Sequence, residues 1–167
     1  MKSLSKTAVL LAAALALTAC SNSSYFGGDT AIDLNAGGAG SPSDPDSPAY
    51  FTESVGDRVL FSVDEAVLTA TARATLDDQA DWLLRNMEYT AVIEGHADEQ
   101  GTREYNLALG ARRAAAAQEY LVTRGVAAGR LRTVSYGKER PIEICSEESC
   151  YSQNRRAVTV VTAGPGV

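Results

Sequence analysis

One histidine, one tryptophan and three cysteines are all of these types that the 167 residues contain. Catalytic zinc usually takes three protein ligands, often histidines. A lone His96 therefore leaves a metal hydrolase without its ligand set. No G-x-S-x-G occurs, so a nucleophile-elbow hydrolase is not indicated, and any serine–histidine pair has to use His96. Basic charge is also short, with 15 Lys+Arg against 21 Asp+Glu. An acidic chain is a poor match for nucleic acid. Long apolar runs are missing too. The one sustained run, "AVLLAAALALTAC" at 8–20, is shorter than the roughly 20 residues of a comfortable membrane span. These shortages argue against catalysis, a resident metal, a cofactor, a nucleic-acid partner and a transmembrane anchor.

What the N-terminus does carry is an export pattern. Lys2 and Lys6 precede the apolar run, and small residues close it, as in a secretory signal over 1–19. Its end, "LTAC" (Leu17 to Cys20), resembles the lipobox of bacterial lipoproteins. That resemblance implies a diacylated Cys20 as the new N-terminus. Each buried CH₂ of an acyl chain contributes about 0.8 kcal/mol, so several chains anchor firmly. Ser21 follows the cysteine where an aspartate would suggest inner-membrane retention, which points by analogy to the outer membrane and a periplasmic domain. Losing 1–19 removes two lysines, so the mature charge is 13 − 21 = −8. With Cys20 lipidated, Cys145 and Cys150 of "CSEESC" remain. An even remainder in an exported chain predicts a disulfide, whereas a metal site needs more soft ligands than two.

Residues 20–50 are dominated by Gly, Pro, Ser and Asp and show no helical or strand period. They read as a lipidated N-terminus and disordered linker. A domain of ordinary single-domain size follows at 51–163, and 164–167 form a tail. Its pattern is a strand at 57–63, a helix at 70–87 on Leu76, Ala80, Leu83 and Met87, and a strand at 89–97. A second helix runs from Thr102 to Arg124, with Thr102 as N-cap, Glu104 in the first turn and Gly125 at the end. Strands at 131–137 and 155–162 complete it. The order is βαβαβ–β, an α+β sheet with helices packed on it. The stretch between the last two strands is long for a loop without structure, and the expected disulfide lies inside it.

The histidine sits in "EGHADEQGT" (94–102), beside Glu94, Asp98 and Glu99. At 100° per residue, Leu107, Ala114 and Leu121 form one stripe of the following helix, expected as core, with Gly110, Ala111 and Ala117 close by. Asn106 and Arg113 lie about 100–120° round from it, with Leu109 beside Arg113. Asp98 and Arg113 then border one pocket from opposite sides. Blander readings stand beside this one. Asp98 and Arg113 form a plain surface ion pair, Asn106 is solvated, His96 is a satisfied loop histidine, and Tyr105 and Tyr120 pack.

"FSVDEAVL", "EGHADEQGTREYNLALGARRA", "SYGKERP" and "SQNRRAV" resemble, in order, the domain of the peptidoglycan-associated lipoproteins, within the larger outer-membrane-protein-A-like family. The match spans about 55–163, and its most specific part is Asn106, Leu109, Arg113 and Ala114 behind the G-H-A-D-E loop. Paired cysteines in "CSEESC" and Leu60 in "VLF" depart from the common pattern. The resemblance implies a mixed four-stranded sheet and a binding protein rather than an enzyme. It implies non-covalent binding of peptidoglycan through the free end of meso-diaminopimelate, a zwitterion. Asp98 would take the ammonium, Arg113 the carboxylate through its planar fork. Asn106 would add hydrogen bonds, Leu109 an apolar wall, and Phe61, His96, Ala97, Thr102 and Arg155 would line the site. It further implies partnership with TolB and other Tol proteins, in a system tethering outer membrane to wall and acting in constriction. The alternatives are a general wall-anchoring lipoprotein outside that system and, more remotely, a metal-dependent wall hydrolase.

Overall fold

In the computed structural model of the protein, residues 40–164 are described, and both long helices begin at a threonine. The expected signal peptide, Cys20, most of the expected linker and the last three tail residues lie outside the described part. Thr69 Oγ1 accepts from the Ala72 amide and Thr102 Oγ1 from the Tyr105 amide, which satisfies an N-terminal donor in each helix. The elements in chain order are α1 (Pro48–Tyr50, continued by a π-helical turn Phe51–Gly56), β1 (Arg58–Leu60), α2 (Ala70–Arg85), β2 (Tyr89–His96), α3 (Arg103–Thr123), β3 (Leu131–Gly137), α4 (Glu148–Asn154) and β4 (Arg156–Ala163). A single 3₁₀ turn at Ala128–Arg130 leads into β3.

The sheet order is β1-β4-β2-β3. β2 runs parallel to β3 and antiparallel to β4, and β4 runs antiparallel to β1. The sheet is therefore mixed, as the family resemblance implies. Ala91 and Ile93 of β2 and Ala157 of β4 turn one face to a core that includes Leu76, Trp82, Leu83 and Leu121. α3 crosses β2 at two glycines. A methyl group on Gly95 would collide with the Gly110 carbonyl oxygen, and one on Gly110 would lie 2.5 Å from Ser135 Oγ. The absent side chains let helix and strand backbones touch, which brings the start of α3 against the end of β2.

Several boundaries differ from those the sequence suggests. Residues expected as linker already pack on the domain: Trp82 donates from Nε1 to the Pro45 carbonyl at 2.7 Å, just ahead of Phe51, the first residue of the expected domain, whose ring lies 4.9 Å from that of Trp82. Ser47 is 4% exposed and caps α1, accepting from the Tyr50 amide, with Pro48 at the first helical position. α2 stops at Arg85 and not at 87, because the Asn86 amide group turns back to the Trp82 carbonyl. Arg130 then takes the Leu83 and Asn86 carbonyls, and Met87 is 75% exposed. β1 is only three residues long, and the chain beyond it leaves the sheet to enclose the site described next.

The buried face of α3 includes the expected Gly110, Ala114, Ala117 and Leu121 but is rotated toward Asn106 and Arg113. Asn106, Leu109, Gly110, Arg113, Ala114, Ala117 and Leu121 are buried, while Leu107 is 48% exposed and Ala111 is exposed. Counting apolar residues places the stripe around Leu107. The fold instead turns the helix toward Asn106 and Arg113, because main-chain carbonyls satisfy both polar side chains from within.

Candidate functional site

The loop from Ala97 to Thr102 connects the end of β2 to the start of α3 and is pinned along its whole length. The Ala97 amide donates to the Gly137 carbonyl at 2.8 Å. Asn106, 1% exposed, donates from Nδ2 to the Gln100 carbonyl at 2.6 Å. Lys138 Nζ donates to the Glu99 and Gly101 carbonyls. Gly101 has φ +84, a backbone state that glycine adopts without strain. The loop borders a cavity of about 300 Å³ lined by Val63, Asp64, Asp98, Gln100, Gly101, Tyr105, Asn106 and Leu109.

Asp98 presents its carboxylate there with a side chain 10% exposed. Oδ1 accepts from the Gln100 amide at 3.1 Å, and Oδ2 from Arg155 Nη1 at 3.2 Å. Its ion-pair partner is thus Arg155 and not Arg113. Arg155 also donates to the Phe61 carbonyl at 3.3 Å and to both carboxylate oxygens of Glu148. Burial alone would lower the Arg155 pKa, but the hydrogen bonds it donates to Glu148 and Asp98 raise it above the ordinary arginine value.

Arg113 is fully buried. Its fork donates to three main-chain carbonyls: Nε to Glu65 at 2.8 Å, Nη1 to His96 at 2.9 Å and Nη2 to Ser62 at 3.0 Å. Its Cζ stands 5.3 Å from the centroid of the Phe61 ring. Burial pulls its pKa down to about 10, against the pull of Asp98 and Asp64 and with that of Arg155, so it stays charged at neutral pH. Two of these carbonyls end the Ser62–Glu65 turn and the third ends β2, so one side chain ties β2 to the Ser62–Glu65 segment. Asp64 in that segment is the one non-glycine residue with positive φ (60°) among the described residues, and its carboxylate accepts from the Tyr105 hydroxyl.

The residues read from the sequence therefore divide. Asp98, Asn106 and Leu109 share the cavity wall. Arg113, Phe61 and Arg155 form the buried layer that holds that wall, and Ala97 and Thr102 hold the loop ends by main-chain and capping bonds. His96 contributes its carbonyl to Arg113, while its ring packs 5.6 Å from that of Tyr136. Val63, Asp64, Tyr105, Gln100 and Gly101 are cavity residues that helix and strand periods do not reveal. Asp64 had one legible signal: an acid in the loop after a strand, within the segment "FSVDEAVL". Cys145 and Cys150 are disulfide-bonded, with Cα atoms 5.8 Å apart. Among the described residues, no three His, Cys, Asp or Glu side chains come together as a metal site.

His96 is 1% exposed, and neither ring nitrogen has a hydrogen-bond partner among the described residues. Glu94 Oε2 lies 3.6 Å from Nε2. Burial, then Arg156 and Arg140, nonetheless push the imidazole from its ordinary 6.5 down to about 4. A base whose folded pKa is depressed takes up its proton more readily when unfolded. Its contribution is thus complete above pH 6.5 and is lost as pH falls toward about 4, to a total of about 3 kcal/mol. His96→Gln is expected to flatten this limb of the Tm-against-pH curve. An identical slope in parent and variant between these two pH values would exclude His96 as its source.

Comparison with known proteins agrees with this architecture. Residues 60–155 match the OmpA family model. The peptidoglycan-associated lipoprotein of Rhizobium meliloti is 51% identical over 164 residues, covering 96% of this chain and 91% of that protein. The peptidoglycan-associated lipoprotein of Agrobacterium fabrum is 52% identical over 153 residues, covering 92% and 85%. Among solved structures, the crystal structure of the peptidoglycan-associated lipoprotein from Burkholderia pseudomallei is 36% identical, with a TM-score of 0.64, and the match covers 72% of this chain and 98% of that one. The C-terminal domain of Helicobacter pylori MotB, 18% identical with a TM-score of 0.61 over 65% of this chain and 86% of that one, shares the fold. The chain belongs to the OmpA family and, within it, to the peptidoglycan-associated lipoproteins.

Proposed function

We propose that this protein is an outer-membrane lipoprotein, anchored through acylated Cys20, whose periplasmic domain binds peptidoglycan non-covalently through the zwitterionic end of meso-diaminopimelate. The observation that carries this reading is the cavity beside the Ala97–Thr102 loop, with the Asp98 carboxylate on its wall and the buried charge of Arg113 behind it. Asp98 receives the ammonium. Arg113 spends three of its five N–H donors on carbonyls, leaving two. A ligand carboxylate reaches those two only when the Ser62–Glu65 segment gives way, since Arg113 has no exposed surface. Asn106 holds the loop, and Leu109 supplies the apolar wall. The binding is recognition without catalysis. It tethers the outer membrane to the wall as part of the Tol–Pal system, with TolB and other Tol proteins as partners, and serves envelope integrity and constriction.

Co-sedimentation of the lipoprotein with isolated sacculi tests the wall contact. Free meso-diaminopimelate is expected to compete, and Nα-acetyl-lysine amide, whose side-chain ammonium has no carboxylate on the same carbon, to compete less. Equal competition by both would remove the carboxylate from the recognition. The anchor has a separate test. Cys20→Ser is expected to give a protein without acyl chains, soluble or uncleaved, and mass spectrometry of the parent's mature N-terminus should show lipid on Cys20. An unmodified N-terminus in the parent would exclude the anchor.

A further inference from the structure

Of the two neighbouring acids of the binding loop, Glu99 is held by residues in and next to the segment the disulfide closes, and Asp98 by Arg155, whose other carboxylate partner, Glu148, lies in that segment. Ser146 Oγ and Tyr151 Oη each donate to Glu99 Oε1 at 2.8 Å. These bonds, Tyr151 first, hold the Glu99 carboxyl below its ordinary range. Arg155 holds Asp98, and Glu148 holds Arg155. Ser146 and Glu148 lie between the two bonded cysteines, and Tyr151 follows Cys150 directly.

The helix that carries Glu148 and Tyr151 has little to stabilise it alone. α4 is seven residues long, and its N-cap, Glu147, makes no side-chain capping bond. Isolated helices of that length are not stable in water. Two clasps keep it in place. One is Asn154, which accepts from the Ile142 and Glu143 amides and donates to the Glu143 carbonyl. The other is the disulfide, from Cys145 to the buried Cys150 within the helix.

We propose that the Cys145–Cys150 disulfide positions the ligand-binding loop, acting through Glu99 and Glu148. This rests on the reading of Asp98 as the acceptor of the ligand's ammonium. Two effects combine. The Ser146 and Tyr151 bonds to Glu99 fix the backbone that aims Asp98. Glu148 shares the charge of Arg155, so Asp98 is not fully neutralised by that arginine and keeps its attraction for a cation. When α4 loosens, Glu148 departs, Arg155 pairs with Asp98 alone, and the ammonium meets a weaker partner.

The test uses the full mature lipoprotein in detergent, with free meso-diaminopimelate as probe in titration calorimetry. Cys145→Ser/Cys150→Ser is expected to lose about tenfold in affinity, and Glu148→Gln about two- to fivefold, as suits a partly exposed pair. In the Glu99→Ala/Glu148→Gln background, where Ser146 and Tyr151 have lost their acceptor and Arg155 its second carboxylate, the serine substitutions should add little, because groups acting in one network are not additive. A merely structural disulfide would give losses that multiply, and that result overturns the proposal. So does a folded serine variant that binds within about twofold of a parent whose Asp98→Ala variant has lost binding. Should the serine variant not fold, Glu148→Gln decides with the disulfide intact, and unchanged binding there is equally fatal. A parent that does not bind meso-diaminopimelate at all would sink the functional reading itself, and this inference with it.

Discussion

Asp98→Ala is expected to remove the protein from the sacculus pellet while leaving the domain folded. A hydrogen bond to a charged group is worth about 1.5–3 kcal/mol, so its loss weakens binding roughly ten- to a hundredfold. The fold should survive, because Arg155 keeps its bonds to Glu148 and to the Phe61 carbonyl when Asp98 is gone. Only the Gln100 amide loses its side-chain partner, in a loop still held by Asn106 and Lys138. Circular dichroism checks the fold. Glu104→Ala, an exposed acid in the first turn of α3, controls for charge alone and is expected to pellet like the parent. A folded Asp98→Ala protein that sediments with sacculi as well as the parent would reduce Asp98 to a structural partner of Arg155.

How much of this site the sequence discloses depends on what each residue does. Asp98, Asn106 and Leu109 are legible because a short loop runs straight into a helix, so chain order and helical spacing bring them together. The partner of Asp98 is not legible. Arg155 lies 57 positions away, just before β4, and meets Asp98 only because β4 pairs with β2 in the sheet. The role of Arg113 is half legible. Its place beside Leu109 follows from spacing. Two of its three carbonyl partners follow from the path of residues 62–65, which have no period to read.

The fold divides the same way. β2, α3 and β3 carry strong patterns and stand within a residue or so of the positions expected. Two short helical segments escape. α1 is announced only by Ser47 followed by Pro48, a capping pair inside a segment whose composition reads as linker. α4 lacks an apolar period because a disulfide and the Asn154 side chain secure it in place of a buried stripe. Composition reports what a segment can bury by itself. It does not report that Trp82, 37 positions further on, will take the Pro45 carbonyl.

Arg113→Ala is expected to cost both stability and binding, with stability the larger loss. Three buried carbonyls, of Ser62, Glu65 and His96, would lose their donor. An unsatisfied buried polar group costs about 1–3 kcal/mol, and the vacated volume beside Phe61 adds to this. Relief from burying the charge offsets part of it, leaving a net loss of about 3–5 kcal/mol, read as the shift in urea midpoint. Arg113→Lys separates the two roles. An ammonium keeps a charge, but on one nitrogen, and cannot span carbonyls that approach the fork from three directions. It is therefore expected to be less destabilised than the alanine variant, yet to bind sacculi at least about tenfold more weakly, because an ammonium cannot offer the ligand carboxylate the planar pair of donors that the guanidinium keeps for it. Sedimentation should be measured where circular dichroism shows the lysine variant fully folded. Should Arg113→Lys match the parent in both urea midpoint and sacculus binding, the planar fork matters to neither, and a positive charge at that position is all that either requires.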